Sequence, residues 1–186
     1  MLDSVKWIKD GKIYKLGHNY ESSMPLFGKR VFTLRIPGSP TGGPFGDNRL
    51  VYHDEFISVR AIPVLHGSWS QAFGYAIDAG GRTIVLSGDT APCPAIADAC
   101  HGCDVLVHEV YSALGFAQLS PELQRYHASF HTSSRELAAI AAKSKPKLLV
   151  LYHQIYFGTK VGVDLEKEIQ QSYTGKVVSS KDLDVY

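Results

Sequence analysis

The stretch Ala72–Cys93, "AFGYAIDAGGRTIVLSGDTAPC", decides how the rest of the chain is read. Two short apolar runs flank Gly80-Gly81, a dipeptide suited to a tight hairpin turn. The second run, Thr83 to Leu86, stops at Ser87-Gly88-Asp89-Thr90, and Pro92 follows. Gly88 lets the backbone turn tightly, so that Asp89 can point away from the strand end. Thr90 is suited to steady the carboxylate or to cap a following helix. Taken alone, Asp89 reads equally well as a helix cap; the wider pattern gives it a charged partner.

Working outward, the same ending recurs. "AIPVLH" closes on His66, "DVLVHE" on His108-Glu109, and "KLLVLYH" on His153. Titratable groups are costly to bury unless they are paired, hydrogen-bonded or bound to metal. Several strands delivering them to one rim is how α/β folds place sites beyond strand ends. Imidazole and carboxylate are the ligands of zinc and similar ions, and a carboxylate has two oxygens with which to bridge two of them. A single strand-end histidine is more often a hydrogen-bonded structural residue, so the reading rests on the combination.

The order of elements fixes the fold class. The first half reads as strands and loops, with a hairpin signal at Asp10-Gly11, an irregular Gly/Pro-rich tract over 36–48, and two strands around a polar turn near His53-Asp54. From Pro94 onward strands alternate with helices. Pro94–Cys100 predicts a short helix, and Ser133 or Ser134 with Glu136 starts another that Pro146 stops. A last helix falls in "DLEKEIQQSY" and a last strand in "KVVSS". Strands first, then alternation, predicts a layered α/β sandwich.

Bulk numbers bound the function. At 186 residues the chain is long enough for one domain, taken as 1–186, and short for two. A net charge of +1 removes the usual hint of nucleic-acid or membrane binding. Three cysteines argue against a disulfide framework and fit a reducing, cytoplasmic setting. The opening "MLDSVKWIKDGKIYK" carries no signal-peptide pattern, and no run reaches membrane-spanning length.

The ordered set "HGSW", "FGYAID", "IVLSGDT", "DVLVHEVY", "FHTS" and "LVLYHQ", over about residues 50 to 186, resembles the second half of a metallo-β-lactamase-fold hydrolase of the ribonuclease Z-like branch. The resemblance implies an αββα sandwich of which this chain holds the C-terminal part. It implies a site for two metal ions, usually Zn2+ with Mn2+ as an alternative. His66 would be a ligand of the first ion, Asp89 would bridge both, and His153 would bind the second. Glu109 and His131 resemble the pair that stabilises and protonates the leaving group, Glu109 orienting the imidazole. Water activated by the metals would attack a phosphodiester or other ester.

The sequence departs from that pattern twice. The family's H-x-H-x-D-H motif, expected upstream of His66, is missing, and His18 and His53 do not match it. Only two protein ligands per ion remain, below the three or four of a stable zinc site. The chain is therefore expected to be a C-terminal piece, close to inactive alone on bis-p-nitrophenyl phosphate. The competing reading is a degenerate, non-catalytic relative that serves as an interaction module. Second, only 23 positions separate His66 from Asp89, too few for the long arm with which ribonuclease Z enzymes grip tRNA. A small ester or phosphodiester is then at least as good a substrate as RNA. A sheet face left open would favour self-association.

Several residues have plain readings. Cys100-His101-Gly102-Cys103 has redox or zinc spacing, but without a second pair the cysteines read as packing residues and Gly102 as a helix stop. His108 should face away from Glu109. His127 reads equally as a supporting residue of the site or as surface. Trp69, Tyr75, Tyr152, Tyr156 and Phe157 read as core aromatics or as walls of a pocket.

Overall fold

The computed structural model describes residues 5–9, 12–16, 49–158 and 164–186. Two compact units are present, Met1–Pro44 and Phe45–Tyr186. In the first, β1 (Val5–Lys9) and β2 (Lys12–Leu16) pair antiparallel with Lys9 opposite Lys12, the register that a two-residue connection at Asp10-Gly11 requires. The Gly/Pro-rich tract over 36–48 lies outside the described residues.

The second unit is built on a seven-stranded sheet. Its strands are β3 (Arg49–His53), β4 (Ile57–Pro63), β5 (Phe73–Ala79), β6 (Arg82–Leu86), β7 (Val105–Tyr111), β8 (Leu148–Ile155) and β9 (Val177–Ser179), in that spatial order. The pairs from β3 to β6 are antiparallel, and those from β6 to β9 are parallel. The switch at β6 follows from connection length. Gly80 and Gly81, both with φ near +60 to +75°, close the β5–β6 hairpin in two residues. Parallel neighbours need crossovers, and helices supply them.

Those helices are α1 (Pro94–Cys100), α2 (Ala113–Phe116), α3 (Pro121–Phe130), α4 (Ser134–Ser144) and α5 (Leu165–Gln170). Helix α4 starts in a capping box of Ser133 with Glu136 and ends at Lys145 in the left-handed conformation, just before Pro146. Helix α4 contacts both α1 and α5, and all three contact the sheet. Ile96, Leu137, Ala141, Leu165 and Ile169 pack there against Val85, Leu106, Leu149 and Leu151, all 3% exposed or less. Strand residues of the opposite alternation, such as Ile77, Ile84, Leu86, Val105 and Val107, are half-buried.

Three sequence expectations are corrected. Cys100 and Cys103 are joined as a disulfide, not merely packed; the Gly102 turn at φ +85° brings their Cα atoms to 4.7 Å. Cys93 alone is a free buried thiol. Helix α3 was not expected, although Ser120 caps it, Pro121 occupies its first turn and Glu122 follows, a legible start signal. The strands also do not stop where their titratable residues stand. Strand β4 ends at Pro63, short of His66, whereas β7 and β8 continue past Glu109 and His153. Among the described residues no helix is long and apolar enough to cross a membrane.

Candidate metal centre

Asp89 is delivered by the turn after β6. Gly88 has φ +64°, and a Cβ there would stand 2.6 Å from the carbonyl oxygen of Phe73, so only glycine fits. Buried Ser87 ties this turn to β7: its amide donates to the Val107 carbonyl (3.0 Å) and its hydroxyl accepts from the Glu109 amide (3.2 Å). Thr90 closes the other side, its hydroxyl accepting from the Leu65 amide (3.2 Å) and donating to the Ala91 carbonyl (2.6 Å). The Asp89 side chain is left 40% exposed.

Glu109 has no exposure at all. Its Oε1 accepts from the amides of Thr90 (3.2 Å) and Thr132 (2.9 Å), and the Thr132 hydroxyl donates to the Thr90 carbonyl (2.7 Å). One carboxylate thus joins the loop of Asp89 to the loop of His131. Its Oε2 has no hydrogen bond and faces His131 Nδ1 at 3.5 Å, an ion-pair distance too long for a good hydrogen bond. Burial raises the pKa of Glu109, opposed by His131 and the two amides. Burial pulls His131 down, but the Glu109 carboxylate and the charge of Asp89 outweigh it, so its pKa is raised overall.

His153 reaches the rim by a bulge. In the β7–β8 pairing Glu109 stands opposite Tyr152 and Val110 opposite Gln154, so His153 is the extra residue. Its φ is +43°, a conformation strained for any residue but glycine. The bulge re-aims a side chain that strict alternation would have fixed on one face of the sheet, and Nε2 lies 3.6 Å from Asp89 Oδ2.

His66 lies three residues beyond the end of β4 and directly follows Leu65, whose bridge partner is Ala91. Its Nδ1 is 3.0 Å from the Phe130 carbonyl. A carbonyl only accepts, so Nδ1 carries the proton and Nε2 is left with its lone pair. Gly67, at φ +56°, has no room for a Cβ against the Phe130 ring, and its amide donates to Ser129 (2.7 Å). The His66 ring lies 5.5 Å from that of His131, which is 5.6 Å from that of His153.

Ligand atoms of Asp89, His131 and His153 lie within 4.8 Å of one another, a group of three that could hold a metal ion. The sequence reading put His66, Asp89 and His153 on metal; the structure sets His131 between the other two histidines and leaves His66 beside the trio. Two imidazoles and a carboxylate are the donor set of a borderline divalent ion with one open position. Partial exposure of Asp89 and His153 keeps that position accessible. The donor chemistry fits the metal that the fold implies.

The remaining candidates fall into place around these residues. His108 is fully buried, its Nδ1 2.6 Å from the Glu109 carbonyl, and burial pulls its pKa down to about 4. His127 lies behind His131, ring centroids 6.2 Å apart, with its ring on Phe157 at 4.6 Å. Burial and the charge of His131 lower its pKa. Tyr152 is raised by burial and by the charge of Asp89. Trp69 is 47% exposed beside His66 and is not a core aromatic. Sequence reasoning missed Ser87 and Thr132, whose polar atoms only the tertiary fold brings to Glu109 and the Asp89 turn.

The model of the beta-lactamase superfamily domain matches residues 24–154. Ribonuclease Z of Mycobacterium bovis is 30% identical over 115 residues, 62% of this chain and 39% of that protein. Ribonuclease Z of Mycobacterium marinum is 28% identical over 105 residues, 56% of this chain and 38% of that protein. This chain therefore spans about two fifths of the length of these relatives. Among solved structures, YhfI of Bacillus subtilis, described as a metallo-beta-lactamase fold protein, superposes with a TM-score of 0.56 at 21% identity, covering 70% of this chain and 49% of YhfI. The short form of human tRNase Z gives 0.51 at 21% identity, covering 75% and 46%.

Proposed function

We propose, for a chain that belongs to the beta-lactamase superfamily, that it carries the C-terminal share of a metal-dependent hydrolase site acting on a phosphodiester or related ester. The observation that carries this reading is the convergence of Asp89, from the turn after β6, His131, from the end of α3, and His153, from the bulge in β8. Asp89 and His153 would hold metal, with His66 contributing the Nε2 that its bond to Phe130 leaves open. Zinc suits the donor set best. A bound divalent ion would supply Lewis-acid charge and an activated water.

The chain's own residues perform the rest. Glu109, fixed by two backbone amides, keeps Nδ1 of His131 facing it and turns Nε2 toward the rim. The raised pKa of His131 keeps a proton available there for a departing alkoxide oxygen. Burial of Glu109 makes its charge effective at short range, which orients the imidazole without water in between.

With His131 kept for proton transfer, Asp89 and His153 with His66 as third donor would hold one ion; a second needs donors beyond them. Dialysed against zinc, the chain is expected to retain about one ion, by the donor count of such sites, and Asp89→Ala or His153→Ala to retain none. Zinc uptake unchanged in both variants would contradict the assignment. Turnover of bis-p-nitrophenyl phosphate by this chain alone is expected to stay near background. Robust turnover, lost in Asp89→Ala, would show that the donors present already complete the site.

A further inference from the structure

Thr90 stands just before α1 in the chain, but the N-cap of that helix is Cys93 and the Thr90 hydroxyl is spent elsewhere. It accepts from the Leu65 amide (3.2 Å) and donates to the Ala91 carbonyl (2.6 Å). The backbone of Thr90 is engaged as well. Its amide donates to Glu109 Oε1 (3.2 Å), and its carbonyl accepts from the Thr132 hydroxyl (2.7 Å). Thr90 is fully buried, and its amide, carbonyl and hydroxyl all have partners. Leu65 directly precedes His66, Asp89 directly precedes Thr90, and His131 directly precedes Thr132. Three loops far apart in sequence, each carrying one residue of the rim, thus meet at a single threonine.

The consequence is sharpest at His66. The residue on either side of it is pinned by its amide, Leu65 to the Thr90 hydroxyl and Gly67 to the Ser129 carbonyl (2.7 Å). Between those two ties the His66 ring keeps Nδ1 on the Phe130 carbonyl at 3.0 Å, which leaves Nε2 for the rim. Valine has nearly the shape of threonine and no hydroxyl, so Thr90→Val frees the Leu65 amide. The amide of residue 90 can still reach Glu109, and its carbonyl can still accept from Thr132. An imidazole whose backbone is tied on one side only can turn, and its proton can move between the two ring nitrogens. We infer that Thr90 is a positioning residue whose hydroxyl sets His66 against Asp89 across the rim, without itself touching metal or substrate. This role rests on the proposed metal site for what His66 does there, and on the loop geometry alone for how His66 is held.

The test compares Thr90→Val with Thr90→Ser, which keeps the hydroxyl, and with Ser144→Ala. The last removes a buried hydroxyl bond to the Ile140 carbonyl (2.8 Å) at the end of α4. Zinc affinity, measured by competition with a chromophoric chelator, is expected to fall about tenfold or more in Thr90→Val, the usual cost of losing a group that orients a ligand. Thr90→Ser should recover most of that loss. Ser144→Ala should lower the urea midpoint and leave the affinity unchanged. Nitrogen NMR of the zinc-free chain in mildly alkaline buffer, where an ordinary imidazole is neutral, reads the His66 tautomer. The unmodified chain, Thr90→Ser and Ser144→Ala should show the proton on Nδ1, and Thr90→Val a mixture. Where zinc binds, the affinity decides: no change in Thr90→Val, or an equal loss in Ser144→Ala, overturns the role. Where the unmodified chain takes up no zinc, the metal-site reading fails and the tautomer decides. A mixture confined to Thr90→Val then upholds the positioning of His66, and Nδ1–H throughout overturns it. Should Thr90→Val not fold, reciprocity supplies the test in the unmodified chain. Zinc at His66 must then tighten the Leu65 tie and slow hydrogen exchange of that amide, and a rate indifferent to zinc overturns the role.

Discussion

Two regions of this molecule are each organised by a buried glutamate, and they treat its charge in opposite ways. Glu168, on α5, is 5% exposed and spends both oxygens on the fold. Oε1 accepts from the Ser112 hydroxyl (2.7 Å); Oε2 accepts from the Ala113 amide (2.8 Å) and the Ser134 hydroxyl (2.6 Å). It binds the end of β7 and the start of α4 to α5. Glu109 spends Oε1 on two amides and leaves Oε2 with no partner except an imidazole 3.5 Å away. A satisfied carboxylate is structural glue; one with an oxygen held in reserve can work on a neighbour. Ser112, which Glu168 holds, lies three residues beyond Glu109 in the chain, and both carboxylates are buried, so the contrast lies in local hydrogen bonding rather than in depth.

That contrast can be broken most forcefully at Glu168. Glu168→Ala removes the acceptor of the Ser112 and Ser134 hydroxyls and the shorter of the Ala113 amide's two bonds, and should cost about 3 kcal/mol of stability, read as a fall in the urea midpoint at unchanged slope. Zinc uptake by the fraction still folded should persist. A shift below half a kilocalorie, the scatter of ordinary surface changes, would mean that Glu168 is not the tie it looks to be.

The next largest effect is on pH. His108 shares the buried strand with Glu109, and burial holds its pKa at about 4 against an ordinary 6.5. As pH falls the unfolded chain takes up this proton before the folded one does. Stability is therefore whole above about pH 6.5 and drains away toward pH 4, by up to about 3 kcal/mol from this group. Denaturant melts at stepped pH measure it, and His108→Leu should flatten that limb. An acid limb equally steep in the variant would assign the loss to other groups.

Gly88→Ala acts on delivery rather than charge. The added Cβ meets the Phe73 carbonyl at an unfavourable φ, so a cost of about 2 kcal/mol is expected, with zinc uptake lost as Asp89 is displaced. Retained uptake would free Asp89 from dependence on that turn.

The smallest change in stability sharpens the comparison most. Glu109→Gln keeps an oxygen for Thr90 and Thr132, so stability should move by less than about 1 kcal/mol. The pKa of His131, followed by NMR, should nevertheless fall, because the charge that raises it is gone. An unmoved His131 would leave Glu109 a second piece of glue.

Much of this was legible in the chain. The Gly80-Gly81 turn, the Ser133/Glu136 cap and the change from hairpins to alternation at Pro94 are local signals, and the folded elements follow them. Titratable residues at apolar strand ends pointed to the rim that Asp89 and His153 share. What local pattern could not carry is geometry that needs two strands at once. The bulge that turns His153 outward exists only as a register shift against β7. The bond from His66 to the Phe130 carbonyl spans 64 residues and needs α3, whose start signal at Ser120-Pro121 was present but whose open apolar stripe offers no buried periodicity to find.

The role of the Asp89–His153 rim depends on whether a metal binds there. Crystals soaked in zinc and measured on both sides of the zinc absorption edge should give an anomalous peak about 2 Å from Asp89 and from His153, with Glu109 Oε2 turned to His131 and away from the ion. A peak elsewhere, or none at that rim, would contradict it.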